Sequence, residues 1–204
     1  IPIDEILTRN ERSIILGEAG SGKSTLFRNL VLDILTEKPK FLSIAQKWGS
    51  ILPIWLPFAF ITKNLADNNN LSIGDLLKMW FKAHDKEHLF HVIKDVIEDE
   101  RLLFVIDGVD ELTDIVSARQ AISKIEIHSE LSKTRIIYSS RPYGYRLLQD
   151  AFSKIKEVHL LPFSEVQQKQ FINYWYEKWL SSIGNADQDY AKTQTTNFLE
   201  DLKR

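Results

Sequence analysis

The sequence predicts an α/β protein: a parallel sheet flanked by helices, followed by the start of a small all-α domain. Three observations carry this. Short apolar runs at 13–16, 102–106 and 135–139 fit strands buried on both faces. Helical stretches separate them, and that alternation builds a parallel sheet with helices on both sides. From Ser164 onward the pattern is purely helical, which sets a boundary near Leu161-Pro162, between residues 1–160 and 161–204.

In chain order, Ile3, Ile6 and Leu7 share a helical face in a lead-in over residues 1–11. Ser13 to Leu16 is the first strand and Leu26 to Leu32 reads as a helix, stopped by Lys38-Pro39-Lys40. Phe41 to Gly49 is a connection with room for a short helix. Ile51 to Phe58 reads as a strand, but Pro53 and Pro57 lack a backbone N–H and confine it to a sheet edge or a bulge. Asn68-Asn69-Asn70 is a polar loop. Ser72 caps a helix from Ile73 to Phe81, with Asp75 in its first turn. Glu87 to Asp99 is an amphipathic helix, Leu102 to Ile106 a strand, Ile115 to Leu131 a helix, and Arg135 to Ser139 a strand. Val158-His159-Leu160 is the last strand. Ser164-Glu165-Val166-Gln167 has the form of a capping box. Phe171, Trp175 and Trp179 recur every four residues and are expected to form a core stripe against the sheet domain, part of it bare where a domain beyond this chain would cover it. Asn185 to Thr196 is polar and linker-like, and a short truncated helix follows.

The totals exclude several classes. With 44% hydrophobic and 26% charged residues, the chain is an ordinary globular one and not a disordered one. A net charge of −2 gives no basic footprint for nucleic acid. The absence of cysteine removes disulfides, thiolate metal sites and cysteine nucleophiles, and suits a reducing, cytoplasmic setting. The longest apolar run, Ile51 to Ile61, is too short to span a membrane. The chain opens with Ile1 and has neither a basic start nor an apolar core there, so no signal peptide is expected. A piece of a longer protein is expected.

The chemistry concentrates in three motifs. Gly17-Glu18-Ala19-Gly20-Ser21-Gly22-Lys23-Ser24-Thr25 fits G-x-x-x-x-G-K-[ST], the phosphate loop of P-loop NTPases. Glycines let backbone N–H groups turn toward an anion, and the helix that follows aims its positive end at the same place. Lys23 supplies a cation for the outer phosphates, Ser24 a hydroxyl for Mg²⁺, and Thr25 a hydrogen bond to an inner phosphate. The lead-in, next to the strand that feeds this loop, either touches the nucleotide base or only packs.

The second motif is Asp107-Gly108-Val109-Asp110-Glu111, at the carboxyl end of a buried strand, where open α/β sheets bind ligands. Asp107 is placed to hold Mg²⁺ or its water. Glu111 is the first candidate for polarising an attacking water and Asp110 the second. The third motif is Ser139-Ser140-Arg141-Pro142. Arg141 either neutralises charge on a γ-phosphate and reports its presence, or pairs with Asp110 or Glu111. No N-K-x-D motif is present, so adenine is expected over guanine.

These motifs, with Leu103 to Leu112, Tyr138 to Pro142 and Leu160-Leu161-Pro162-Phe163, resemble a NACHT domain of the STAND signalling ATPases, relatives of the AAA+ proteins. The D-G-x-D-E and S-R-P forms discriminate. The resemblance implies binding of ADP or ATP with Mg²⁺, slow hydrolysis, assembly into oligomers, and a role in innate immunity or antiphage defence. It implies phosphate and metal roles for Lys23 and Ser24, the Walker B role for Asp107, a sensor role for Arg141, and a place near the base and sugar for Pro162. It also implies winged-helix, sensor and effector domains beyond this chain. No membrane contact is expected. A small-molecule kinase passing on the γ-phosphoryl group is the alternative, although no lid is evident. His84, His88 and His91 are spaced for one helical face, and a solvated face is expected over a metal site.

Overall fold

The computed structural model describes residues 2–98, 101–111, 114–182 and 188–202. The chain divides into two compact units, Ile1–Leu160 and Leu161–Arg204. In the first, helices α1 (Ile3–Thr8), α2 (Lys23–Ile34), α3 (Leu42–Trp48), α4 (Phe58–Asp67), α5 (Ile73–Ala83), α6 (Phe90–Glu98), α7 (Ile115–Ser132) and α8 (Pro142–Leu148) alternate with five strands. The strands are β1 (Arg12–Leu16), β2 (Leu52–Pro57), β3 (Leu102–Asp107), β4 (Arg135–Ser140) and β5 (Lys156–His159). All pair in parallel, in the order β2-β3-β4-β1-β5.

The pleat sends alternate residues to opposite faces, and each face has its own core. Phe104, Ile106, Ile14, Ile136 and Tyr138 face α4, α5, α7 and α8 through Phe58, Leu76, Ile122 and Leu148. Leu103, Val105, Ile15 and Ile137 face the other way, onto Leu7 of α1, Phe27 and Leu30 of α2, and Ile44 of α3. The central β3 is therefore apolar throughout and fully buried until Asp107. Register aligns Pro57 with Asp107, Ile106 with Tyr138, and Leu16 with both Ser140 and His159, so the strands end together at one edge. The two prolines lie in β2, at the sheet edge, where missing N–H donors cost least.

Away from that edge, a buried charge network ties α7 to the start of the sheet. Arg12 Nη1 donates to Glu126 Oε2 at 2.8 Å, and the Tyr138 hydroxyl donates to Glu126 Oε1 at 2.7 Å. Arg12 Nη1 also donates to the Ser153 hydroxyl at 3.0 Å. Burial, and then the neighbouring Glu126 carboxylate, hold the Tyr138 phenol well above its ordinary pKa.

Ser72 and Asp75 form the expected capping box, and α5 runs two residues past Phe81. Several elements differ from the sequence expectation. Phe58, expected as the last residue of the strand, instead opens α4, because Pro57 ends β2 and caps the helix at once. The segment from Glu87 opens with a 3₁₀ turn, Glu87–Leu89, before α6, and Asp99 lies outside the described residues. His84 ends α5 and Asp85 takes a left-handed φ of 56°, so His84, His88 and His91 do not share one helix. Among the described residues no cluster of metal-ligating side chains occurs.

In the second unit, α9 (Glu165–Ser182) packs on α10 (Gln188–Leu202). The Ser164 hydroxyl accepts from the Gln167 N–H and the Gln167 side chain accepts from the Ser164 N–H, the expected cap. Residues 188–196 are helical, not linker, and Asn185 lies outside the described residues. Phe171, Trp175 and Trp179 are 56%, 52% and 44% exposed, so the stripe is partly bare. A two-helix unit has too little apolar surface to cover both sides of α9, and within α9 the buried residue is Leu180.

Candidate functional site

The first loop leaves β1 at Gly17, whose N–H donates to the Ser140 carbonyl at 3.2 Å. Gly20 and Gly22 take left-handed φ values of 74° and 89°, and a Cβ on either would meet nothing within 4 Å. Glycine is needed there for backbone direction, not for space. Gly22 is the N-cap of α2, so the first N–H groups of that helix face the loop without partners inside it. Ser21 Oγ is buried within the loop and has no hydrogen-bond partner. Lys23 Nζ donates to the carbonyls of Gly17 at 2.7 Å and Glu18 at 3.0 Å, lying across the loop. Glu18, Ala19, Ser24 and Thr25 are exposed.

The second loop follows β3. Gly108 turns with φ 78°, and the Glu111 N–H donates to its carbonyl at 2.9 Å. The Glu111 carboxyl carbon sits 3.1 Å from where a Cβ on Gly108 would be, so Gly108 also lets that side chain fold over the turn. Ser139 of β4 locks this end of β3. Its hydroxyl makes a short hydrogen bond to Asp107 Oδ1, accepts the Gly108 N–H at 2.9 Å, and its carbonyl accepts the Val109 N–H at 2.9 Å.

The third loop is clamped to the second. Asp110 Oδ1 accepts the Arg141 N–H at 2.9 Å, and Asp110 Oδ2 lies 3.1 Å from Arg141 Nε. Of the two expectations for Arg141, this arrangement is the ion pair with Asp110. The same contacts commit Asp110 and leave Glu111 as the carboxylate with no side-chain partner among the described residues. Gly144 makes the clamp possible: a Cβ there would lie 2.8 Å from the Asp110 Cα. Replacing Gly144 by Ala is therefore expected to displace the 108–111 turn and cost about 1–3 kcal/mol by overpacking. A thermal melt of the variant checks this; an unchanged midpoint would show that the turn yields freely.

A cavity of about 470 Å³ opens beside these loops, lined by Arg28, Trp55, Pro57, Trp80, Asp107, Gly108 and Glu111. The sequence reading of the site missed Arg28, Trp55, Trp80 and Gly144. For Arg28 a signal existed: it follows Ser24 by four residues and so shares its helical face. Pro162 is exposed and opens the second unit.

The residues fit a phosphate chain with a hard divalent cation. Unpaired N–H groups and an orphaned buried hydroxyl face the loop, as an anion requires. One carboxylate and one hydroxyl suit Mg²⁺, which takes few protein ligands and completes its shell with phosphate and water.

The NACHT domain family model matches residues 11–178, a span that contains all three loops. The chain belongs to the NACHT domain family. It is 24% identical over 198 residues to the human NACHT, LRR and PYD domains-containing protein 10, a match covering 91% of this chain and 27% of that protein. The chain thus spans about a quarter of the length of this curated relative. A solved structure of a DNA replication initiation factor superposes with a TM-score of 0.52 at 15% identity, over 95% of this chain and 52% of that one. That likeness is one of fold: a parallel five-stranded sheet flanked by helices, as in P-loop NTPases. The NACHT domain is a P-loop NTPase domain, so nucleotide binding follows from membership together with an intact phosphate loop. Among the described residues no helix is long and apolar enough to cross a membrane.

Proposed function

We propose that this chain is the ATP- and ADP-binding switch module of a longer NACHT-type signalling protein, acting in innate immunity or antiphage defence from the cytoplasm. Residues 1–160 are its nucleotide-binding domain and 161–204 the start of its first helical domain. Winged-helix, sensor and effector domains belong to the rest of the protein, and the triphosphate form self-assembles.

One observation supports this reading above the others: the phosphate loop, Asp107 with Glu111, and Arg141 lie on three neighbouring strand ends, cross-linked through Ser139 and Asp110. Backbone N–H groups of residues 17–25 cradle the phosphates, and Lys23 exchanges its carbonyl partners for phosphate oxygens. Ser24 and Asp107 would hold Mg²⁺, which neutralises phosphate charge when bound. Pro162 contacts the base and sugar. Glu111 accepts a proton from the attacking water. Arg141 trades Asp110 for the terminal phosphate, and the exchange carries the state of the nucleotide to the helical region.

Hydrolysis is slow and rests on Glu111. Replacing Glu111 by Gln is expected to lower turnover roughly 100-fold, in the range for loss of a positioned base, with ATP affinity unchanged. Steady-state phosphate release and calorimetry check this together. Unchanged turnover would remove Glu111 as the base. Incubation with ATP and a metabolite pool tests the class of reaction: phosphate release alone is expected, and a phosphorylated metabolite would make the chain a kinase instead.

A further inference from the structure

We infer that Arg28 reads the third phosphate of the nucleotide, making the Trp-walled cavity beside Asp107 a second part of the site, besides Arg141, that tells tri- from diphosphate. The inference rests on the nucleotide-binding reading above and adds a residue to it.

The cations around the site are not equivalent. Lys23 Nζ is held by two loop carbonyls, and Arg141 is held by Asp110. Arg28 has no hydrogen-bond or ion-pair partner among the described residues, yet its side chain lines the same cavity as Asp107 and Glu111. The Glu111 carboxylate is likewise without a side-chain partner there. Two opposite charges that line one cavity and do not pair leave space for a charged group between them.

The position of Arg28 narrows what that group is. Arg28 lies one helical turn beyond Ser24 on the same face of α2, so it is the next cation after the metal hydroxyl. A phosphate chain cradled by residues 17–25 that grows toward Asp107 grows toward Arg28. A guanidinium fits phosphate oxygens with paired donors, and charge-assisted bonds of this kind are the strong ones. The indoles of Trp55 and Trp80 form apolar walls to the cavity. They limit the water that would screen the contact. A diphosphate ends short of this place, so the contact is specific to the triphosphate.

The test is equilibrium binding of Mg-ATP and Mg-ADP to wild type, Arg28→Ala, Arg28→Gln and Arg28→Lys by calorimetry. Arg28 is exposed, so the variants are expected to melt with the wild type; Arg28→Gln keeps much of the aliphatic stem and stands in if the alanine variant folds poorly. Loss of one charge-assisted contact predicts about tenfold weaker ATP binding, with ADP affinity within about twofold. Arg28→Lys recovers part of the loss. Equal shifts for ATP and ADP, or no shift for either, overturn the role of Arg28 while leaving nucleotide binding intact. A wild-type chain that binds neither nucleotide overturns the underlying reading instead.

Discussion

Replacing Lys23 by Ala is expected to weaken ATP binding by about 100-fold, the loss of more than one charge-assisted hydrogen bond to phosphate. The fold should survive. Among the described residues Lys23 bonds to the carbonyls of Gly17 and Glu18, at the rim of the sheet, and to no buried side chain. The large effect on binding and the small one on stability come from the same geometry. The ammonium lies across an open loop whose other donors are backbone N–H groups, so it is a side-chain charge that the loop itself offers to phosphate. Calorimetry of the wild type and variant, paired with thermal melts, checks both halves. ATP affinity retained within a few-fold would mean that Lys23 does not grip the phosphates.

The second large effect lies away from the site. Replacing Glu126 by Ala is expected to destabilise the first unit by about 3 kcal/mol, the low end for breaking a buried ion pair. The Arg12 and Glu126 side chains are 11% and 7% exposed, so the variant leaves a guanidinium poorly solvated and removes the acceptor of the buried Tyr138 hydroxyl. Glu130, 3.3 Å from Arg12 but largely exposed, offsets part of the charge and keeps the cost at that end. Replacing Glu130 by Ala should cost under about 1 kcal/mol, as for exposed pairs. Urea denaturation of both variants gives the comparison. Equal costs would show that the network contributes no more than a surface contact. Nucleotide affinity measured well below the melting temperature should be unaffected.

Much of the site was legible because its chemistry is local in sequence. The phosphate loop needs glycines at fixed spacing, and Gly20 and Gly22 take the left-handed backbone that spacing requires. Asp107 ends an apolar run and so lands at the sheet edge. Pro53 and Pro57 marked an edge strand for the same local reason: a missing donor. Other features rest on contacts between distant segments. The need for Gly144 comes from the approach of Asp110, 34 positions earlier, and nothing around Gly144 in the sequence announces it. Ser139 locks Asp107 from the neighbouring strand, and that bond exists only once β3 and β4 pair.

The misread helices have a different cause. Phe58 closes the run read as strand but opens α4, a boundary that periodicity alone cannot place inside a continuous apolar run. Residues 188–196 carry too few apolar positions to show a helical period, yet α10 packs on α9 and Thr195 is buried. Phe171, Trp175 and Trp179 mark a different limit. Their period was right and placed them on one helix face, as the parallel stacking of Trp175 on Trp179 confirms. Period does not say whether anything covers that face.

Amide hydrogen exchange of the wild-type chain with saturating Mg-ATP and with saturating Mg-ADP tests the switch most directly. Protection of residues 17–25 is expected with both nucleotides. Residues 107–111, 139–144 and 161–182 are expected to exchange differently between the two, because the terminal phosphate alone competes for Arg141 and so frees Asp110. Identical exchange with ATP and ADP across all of these segments would contradict the account.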